Sequence, residues 1–513
     1  MQRLIRSLGM LLAAGLAFGG QFLLSLRGVP VMRSIAPGLG LYAVAIVLVG
    51  VTLFATRRDE PADGAPAAGA IDRWLDARGG LILLMLILTA GIYLRLYRID
   101  VIPWGLNNDE AINAIEVREI IAGKPFSTVT ARGLNRETMF HYLAAISYKT
   151  SGATLNVLRA MPAVFGLDSR AINDPMSALI LPLRMVSIVA GTLTILALYL
   201  FGRAWFGTRT ALMAAFFLAV SPWHLLYSRA GLRTILAPLF TILTVGLFLR
   251  AMRTRRRGDH LLWGLAAGLG FWTYTSFRAI PLALLAFLLL HRLLRRWRPG
   301  PRSAAAQGAG AGSAATSPGL WLLAGGGVAA LLFIVVMGWS HMTPAEFLFR
   351  GAYATTPPQS RYGANLVHAV TMLNYSPESY AVIQNDAFIS DGVSATFGEI
   401  GLEPDTLILA ALATLGLLCV AWQALRRPAA DDEGDPRGAA SALVLLCLLA
   451  VWLTVGWMGP SLTRLLINLP WLCLCAALFV TRACDGLAAL RPPRTAWAAA
   501  LVLPVVAAIG CAE

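Results

Sequence analysis

The stretch GLILLMLILTAGIYLRLY, residues 80–97, and the nearby NNDEAINAIEVREIIAGK, residues 107–124, decide how this chain reads. The first run has the length and apolarity of a helix that crosses a hydrocarbon layer. The second carries two adjacent carboxylates, Asp109 and Glu110, where that helix emerges into water. An acidic pair at a membrane surface is costly to keep without a partner or a task. The pair therefore marks one end of the third apolar run as the place to look for chemistry.

The rest of the composition agrees with a membrane setting. Of 513 residues, 57% are hydrophobic and only 13% charged, and the mean hydropathy is +0.67. These values exclude an ordinary soluble domain and require many apolar spans. The net charge of +15 is not a nucleic-acid footprint, because the basic residues gather at helix ends rather than in one stripe. No nucleic-acid partner is expected, and the lipid bilayer is. Six cysteines, Cys419, Cys447, Cys473, Cys475, Cys484 and Cys511, lie in or beside apolar segments. None forms a CxxC pair or a Cys/His cluster at zinc spacing, so neither a disulfide framework nor a cysteine-bound metal is expected.

The fold class expected is an all-α polytopic membrane protein with about 13 transmembrane helices. The runs are 8–26, 38–56, 80–97, 179–201, 209–227, 233–251, 261–276, 279–294, 320–339, 405–425, 440–458, 462–482 and 495–511. The seventh and eighth are short and nearly continuous, and read equally as one pair broken around Ser276 to Pro281. The basic start before 8–26 reads as part of a retained first helix rather than a cleaved signal. With the N-terminus in the cytoplasm, more than half of the 42 Lys and Arg fall on the inner side, including Arg57, Arg58, Arg253 to Arg257 and Arg292 to Arg302. Two long segments, 98–178 and 340–404, then lie outside. The inner linker 299–318 is rich in Gly, Ala and Ser and reads as disordered. This gives three divisions: two appended helices over 1–58, a catalytic core over 79–483, and a final helix and C-terminus over 484–513.

Candidate site residues cluster on the outer side. Asp109 and Glu110 occupy the first turn of an expected interfacial helix that runs through Glu116 and Arg118 to Gly123. As a motif alone, this pair serves equally as a helix N-cap. In Arg136-Glu137-Thr138-Met139-Phe140-His141, a second helix would put Glu137 and His141 on one face. His141 reads there as a site residue or as an interfacial hydrogen-bonding anchor. Arg229, Arg233, Arg278 and Arg464 stand at outer helix ends, against the general charge trend. A guanidinium fork fits a phosphate, and each of these arginines also fits as a residue snorkelling to headgroups.

The order of these elements resembles the GT-C superfamily of polyprenyl-phosphate-sugar-dependent glycosyltransferases. The likeness is strongest to bacterial family 39-type enzymes, with protein O-mannosyltransferases and lipid A aminoarabinose transferases further off. It rests on Asp109-Glu110 after the third helix, Leu183-Arg184-Met185 through Arg203, Ser221-Pro222-Trp223-His224 through Ser228-Arg229, and Arg464 through Pro470. It covers about residues 80–480. Three features depart from the pattern: the two helices before the core, Ala230-Gly231 where relatives often carry Glu after Ser-Arg, and an insertion-like stretch from Val164 to Pro175.

The resemblance implies Asp109 as general base with Glu110 as its neighbour. It implies Arg229 around a lipid phosphate, joined by Arg136, Arg233 or Arg278; Arg118, Glu137 and His141 complete the expected substrate-binding set. It further implies a polyprenyl-phosphate-linked sugar donor, a lipid, glycan or protein acceptor, and inversion at the anomeric carbon. The expected location is the cell membrane, with the active site on the extracytoplasmic face. Asp168 and Asp174 are weaker candidates for a second acid, and Asn385, Asp386, Asp391 and Glu399 for orienting the acceptor. No cofactor or essential metal is expected, because one phosphate can be neutralised by arginine. The alternative reading is a polytopic transporter or flippase of lipid-linked glycans. Charges gathered at one surface and the lack of an internal repeat favour the enzyme.

Overall fold

The computed structural model describes residues 2–25, 31–55, 73–100, 108–130, 136–150, 152–173, 175–297, 318–338, 407–425, 436–458 and 462–488. Helix dominates throughout, as an apolar solvent that offers no backbone hydrogen bonds demands. The elements in order are α1 (Gln2–Ser25), α2 (Val31–Ala55), α3 (Gly80–Leu96), α4 (Asn108–Ile121), β1 (Val129–Thr130), β2 (Arg136–Glu137), α5 (Met139–Thr150) and α6 (Gly152–Ala160). Then come α7 (Pro175–Trp205), α8 (Thr208–Val220), α9 (Pro222–Arg229), α10 (Leu236–Thr254), α11 (Arg257–Gly270) and α12 (Ala279–Trp297). The series closes with α13 (Pro318–Gly338), α14 (Leu407–Leu425), α15 (Pro436–Met458) and α16 (Leu469–Ala488).

Each apolar run from 8–26 to 462–482 overlaps a helix among the described residues. By length and composition, six helices among the described residues can cross a membrane, or seven if the bent pair α8–α9 is one span. Shorter apolar helices, Leu8–Gly20, Gly40–Ala55, Ala324–Val335 and Leu409–Leu425, occupy four more of the expected runs. The run 495–511, the outer segment 340–404 and the linker over 299–317 lie outside the described residues, as do Asp174, Asn385, Asp386, Asp391 and Glu399.

Two expected spans are broken. The run 209–227 bends by 59° between α8 and α9. Pro222 has no N–H to continue the helix, and Ser221 caps the new one by accepting from the His224 N–H at 3.4 Å. The buried Arg95 guanidinium of α3 reaches this bend. Its Nη1 donates to the Ala219 and Gly91 carbonyls, and Nη2 lies 2.7 Å from His224 Nδ1. The run 261–276 ends at Gly270, and a 3₁₀ turn over Thr275–Arg278 leads into α12. The break around Ser276 to Pro281 expected from sequence thus falls a few residues earlier.

The core is built by close helix pairs. The nearly fully buried α16 packs on α8 and α14, α7 on α8 and α10, α11 on α10 and α13, and α12 on α15. The N-terminal pair α1 and α2 packs on α14, with α1 also touching α16. Small residues set these distances, as expected where packing rather than the hydrophobic effect joins helices. A Cβ on Gly416 of α14 would fall 2.0 Å from the Cys475 carbonyl oxygen of α16, whereas one on Gly50 of α2 meets nothing within 4 Å. Gly416→Leu is therefore expected to destabilise by about 1–3 kcal/mol or more through overpacking. Gly50→Leu should leave stability near wild type. Thermal unfolding of both variants in detergent checks this contrast.

Candidate active site

The site forms where the segment after α3 folds back over the ends of neighbouring helices. The expected helix after Asn107 exists as α4, which begins at Asn108 and ends at Ile121, two residues before Gly123. Its buried face, Glu110, Asn113, Ala114 and Val117, follows helical spacing. Glu116 on the adjoining stripe is also buried; Thr130 donates to its Oε1, and Lys124 Nζ donates to Oε2 at 2.7 Å. Trp272 Nε1 donates to the Thr128 carbonyl at 2.9 Å and tethers the loop to the α11–α12 turn. Phe126, Tyr142 and Trp272 pack together around that tether.

Glu110 does not face the cavity. It is fully buried and takes two bonds from Arg184 of α7, Nε to Oε1 at 2.9 Å and Nη2 to Oε2 at 3.2 Å. The Gly231 N–H donates to Oε1 at 2.8 Å, and Arg184 Nη1 holds the Ile99 carbonyl at 2.8 Å. A Cβ on Gly231 would lie 3.0 Å from Glu110 Oε1, so Ala230-Gly231 is what lets the backbone come this close. The expected catalytic role for Glu110 is corrected to that of an anchor. A desolvated carboxylate needs all of these donors, and none of them is substrate.

Asp109, one residue earlier, has a side chain 50% exposed. Its Oδ1 accepts from Arg136 Nη2 at 2.5 Å. Beside this pair lies a second cluster. The fully buried Glu137 accepts from Arg233 Nη1 at Oε2 and from Arg278 Nη2 at Oε1, the latter at 2.5 Å. Arg233 also stacks over the Tyr274 ring, 5.1 Å from its centroid. The Tyr274 phenol lies within electrostatic reach of Arg464, Arg233, Asp109 and Glu137, so the two clusters are neighbours.

Several sequence expectations are altered by these contacts. Arg136 and Glu137 lie not in a helix but in β2, paired antiparallel with β1 as Val129↔Glu137 and Thr130↔Arg136. Helix starts only at Met139, so Glu137 and His141 share no helix face. His141 is buried, and its Nε2 lies 3.0 Å from Asn113 Oδ1, while Asn113 Nδ2 donates to the Gly231 carbonyl at 2.8 Å. Burial, reinforced by Arg233 and Arg136, pushes the His141 imidazole down to about 3. It is a neutral structural anchor. Arg229 is also corrected. It is buried, and its two Nη atoms donate to the Leu94 and Tyr97 carbonyls at the end of α3, where helical carbonyls lack partners. Arg118 is exposed, nine residues along α4 from Asp109 and hence on the opposite face, about 13 Å further along the axis. Asp168 caps the following turn by accepting from the Arg170 N–H at 2.8 Å.

Arg184, Asn113 and Tyr274 were not expected at the site. Arg184 had a signal, as the lone charge within the run 179–201. Asn113 and Tyr274 had none beyond their types. Among the described residues, no group of three or more His, Cys, Asp and Glu is placed to hold a metal ion. The site carboxylates face guanidinium groups instead.

This architecture has the fold of the GT-C glycosyltransferases. Residues 176–321 match the family described as dolichyl-phosphate-mannose-protein mannosyltransferase. The archaeal oligosaccharyltransferase AglB from Archaeoglobus fulgidus, in complex with an inhibitory peptide and a dolichol-phosphate, superposes with a TM-score of 0.51 at 16% identity, covering 86% of this chain and 55% of that one. ArnT from Cupriavidus metallidurans bound to undecaprenyl phosphate gives 0.47 at 15% identity, over 81% of this chain and 64% of that one. The chain thus spans less than two thirds of either protein's length. No curated protein sequence matches it.

Two outcomes follow from the buried pairs. Arg184→Ala leaves Glu110 buried without its counter-charge and is expected to cost about 3–5 kcal/mol. Arg184→Met with Glu110→Gln should recover much of that loss, as read by thermal unfolding. The depressed His141 pKa means that the unfolded chain binds a proton more readily than the folded one between about 3 and the ordinary value of 6.5. Its contribution is thus complete above about pH 6.5 and is lost as pH falls toward 3. His141→Gln should flatten the acid side of a melting-temperature profile.

Proposed function

We propose that this protein is an inverting glycosyltransferase that moves a sugar from a polyprenyl-phosphate carrier to an acceptor on the outer face of the membrane. The observation that carries the reading is the paired cluster itself. Three guanidiniums, Arg136, Arg233 and Arg278, face two carboxylates, Asp109 and Glu137, and only Asp109 is substantially exposed. Among these five side chains guanidiniums outnumber carboxylates, which suits a phosphodiester. The family description, with its dolichyl-phosphate-mannose donor, supports the same donor class.

In this mechanism Asp109 takes the proton of the acceptor hydroxyl or amine as that group attacks the anomeric carbon. The bond from that carbon to the phosphate oxygen breaks on the opposite face, and configuration inverts. Arg136 and Arg233 meet the departing phosphate, whose charge grows in the transition state. Arg278 shares Glu137 with Arg233 and so keeps Arg233 directed to the cavity. No metal is needed for this neutralisation, since the leaving group carries a single phosphate.

The isoprenoid has a place to lie. An apolar groove of about 530 Å³ runs between α12 and α15, lined by Leu282, Ala283, Ala286, Leu446, Ala450 and Leu453 among others. Its lining begins at Leu282, one helical turn along the chain from Arg278. The core over 79–483 carries the chemistry in this reading, with 1–58 as an accessory helical pair.

Transfer from a panel of radiolabelled polyprenyl-phosphate sugars to membrane extracts tests the proposal. Wild type should transfer from at least one donor, and Asp109→Asn should lower the rate by about 10²–10⁴-fold. Equal transfer by both proteins would remove Asp109 from its role. Altered glycolipid flux with no transfer would favour the transporter.

A further inference from the structure

We propose that the Asp109–Arg136 ion pair is a gate that makes donor binding a precondition for base action; this rests on the lipid-phosphate reading above. Arg136 Nη2 lies 2.5 Å from Asp109 Oδ1, so one carboxylate oxygen of the base is already engaged. In this arrangement the base is held by the same guanidinium that is to receive the donor. The carboxylate holds Nη2 of that guanidinium, so a phosphate that takes both arms of the fork must displace it.

The environment of each arginine decides which pair opens. Glu137 has no exposure and binds two guanidiniums, so breaking that cluster would strand charge in a desolvated place. The Asp109 side chain is 50% exposed and the Arg136 side chain 11% exposed. The carboxylate end is half in water and loses little on release, and a phosphate arriving on Arg136 keeps the buried guanidinium paired. The Arg136 backbone does not move with it, because the β1–β2 pairing holds its register. Phosphate oxygens arriving beside Arg233 can therefore take the Arg136 fork, and Asp109 turns into the cavity toward the acceptor.

The test is a double-mutant cycle on binding of radiolabelled undecaprenyl phosphate to the full-length protein in nanodiscs, which requires no turnover. Asp109→Asn removes the competitor for Arg136 and should tighten binding by about two- to fivefold. On an Arg136→Gln background the same substitution should have no effect. Loss of one negative charge acting only at long range would instead tighten binding equally in both backgrounds, and that result would overturn the gate. Unchanged or weaker binding by Asp109→Asn alone would overturn it as well, whether or not Arg136→Gln folds. In either case measurable binding leaves the lipid-phosphate reading standing. Absence of binding by wild type and every variant would remove both.

Discussion

The contact on which the rest of the site depends is the buried salt bridge between Glu110 and Arg184. It joins the first turn of an interfacial helix to the middle of the outer half of a long span. Arg184 extends the tie to the Ile99 carbonyl, and the Gly231 N–H brings in the loop after α9. Three segments distant in the chain are therefore fixed by one carboxylate. Burying such a pair costs desolvation energy on both sides, and hydrogen bonds to the remaining positions are what make it tolerable. Because Glu110 is locked, its neighbour Asp109 has a defined direction, out of the interior and toward Arg136.

The same logic grades the acidic groups by exposure. Glu110 and Glu137 are sealed and serve to position guanidiniums, while Asp109 stands half in water and keeps chemical freedom. Arg229 belongs to the scaffold too. By closing the carbonyl end of α3 it fixes where the chain leaves the membrane, and so where the acidic helix can begin. The buried Arg95 does similar work at the bend forced by Pro222, donating to Ala219 where the helical ladder is interrupted. Arg95 and Arg229 are thus satisfied by backbone carbonyls exposed at breaks and ends, whereas Glu110 and Glu137 are satisfied by ion pairs.

Under the proposed function, a polar cluster and an apolar groove between α12 and α15 divide the requirements of a lipid-linked donor between them. The groove offers only dispersion and shape, with Thr454 as its one polar lining residue. The cluster offers only charge and hydrogen bonds. Arg278 stands at the junction, at the start of the helix that lines the groove and in contact with Glu137. This continuity makes an amphiphile with one phosphate a better match than a soluble sugar nucleotide, which has no use for the groove.

The sequence by itself determined that the chain is a helical membrane protein, where its apolar runs lie, and that an acidic pair follows the third of them. Those properties are local: a hydrocarbon solvent imposes span length and internally satisfied backbone, and both are written in consecutive residues. The break after Gly270 was foreshadowed a few residues late, by the shortness of the run 261–276, whereas the run 209–227 read as one span despite Pro222. Only the tertiary structure decided what each charged residue does. Glu110 and Asp109 are adjacent and chemically alike, yet one is buried against Arg184 and the other faces Arg136, because successive helical positions differ by 100° in direction. Arg229 and Arg233 look equivalent in sequence, yet one meets backbone carbonyls and the other Glu137. Partner choice depends on which segments fold over one another, some of them more than a hundred residues apart, and no local pattern carries that information.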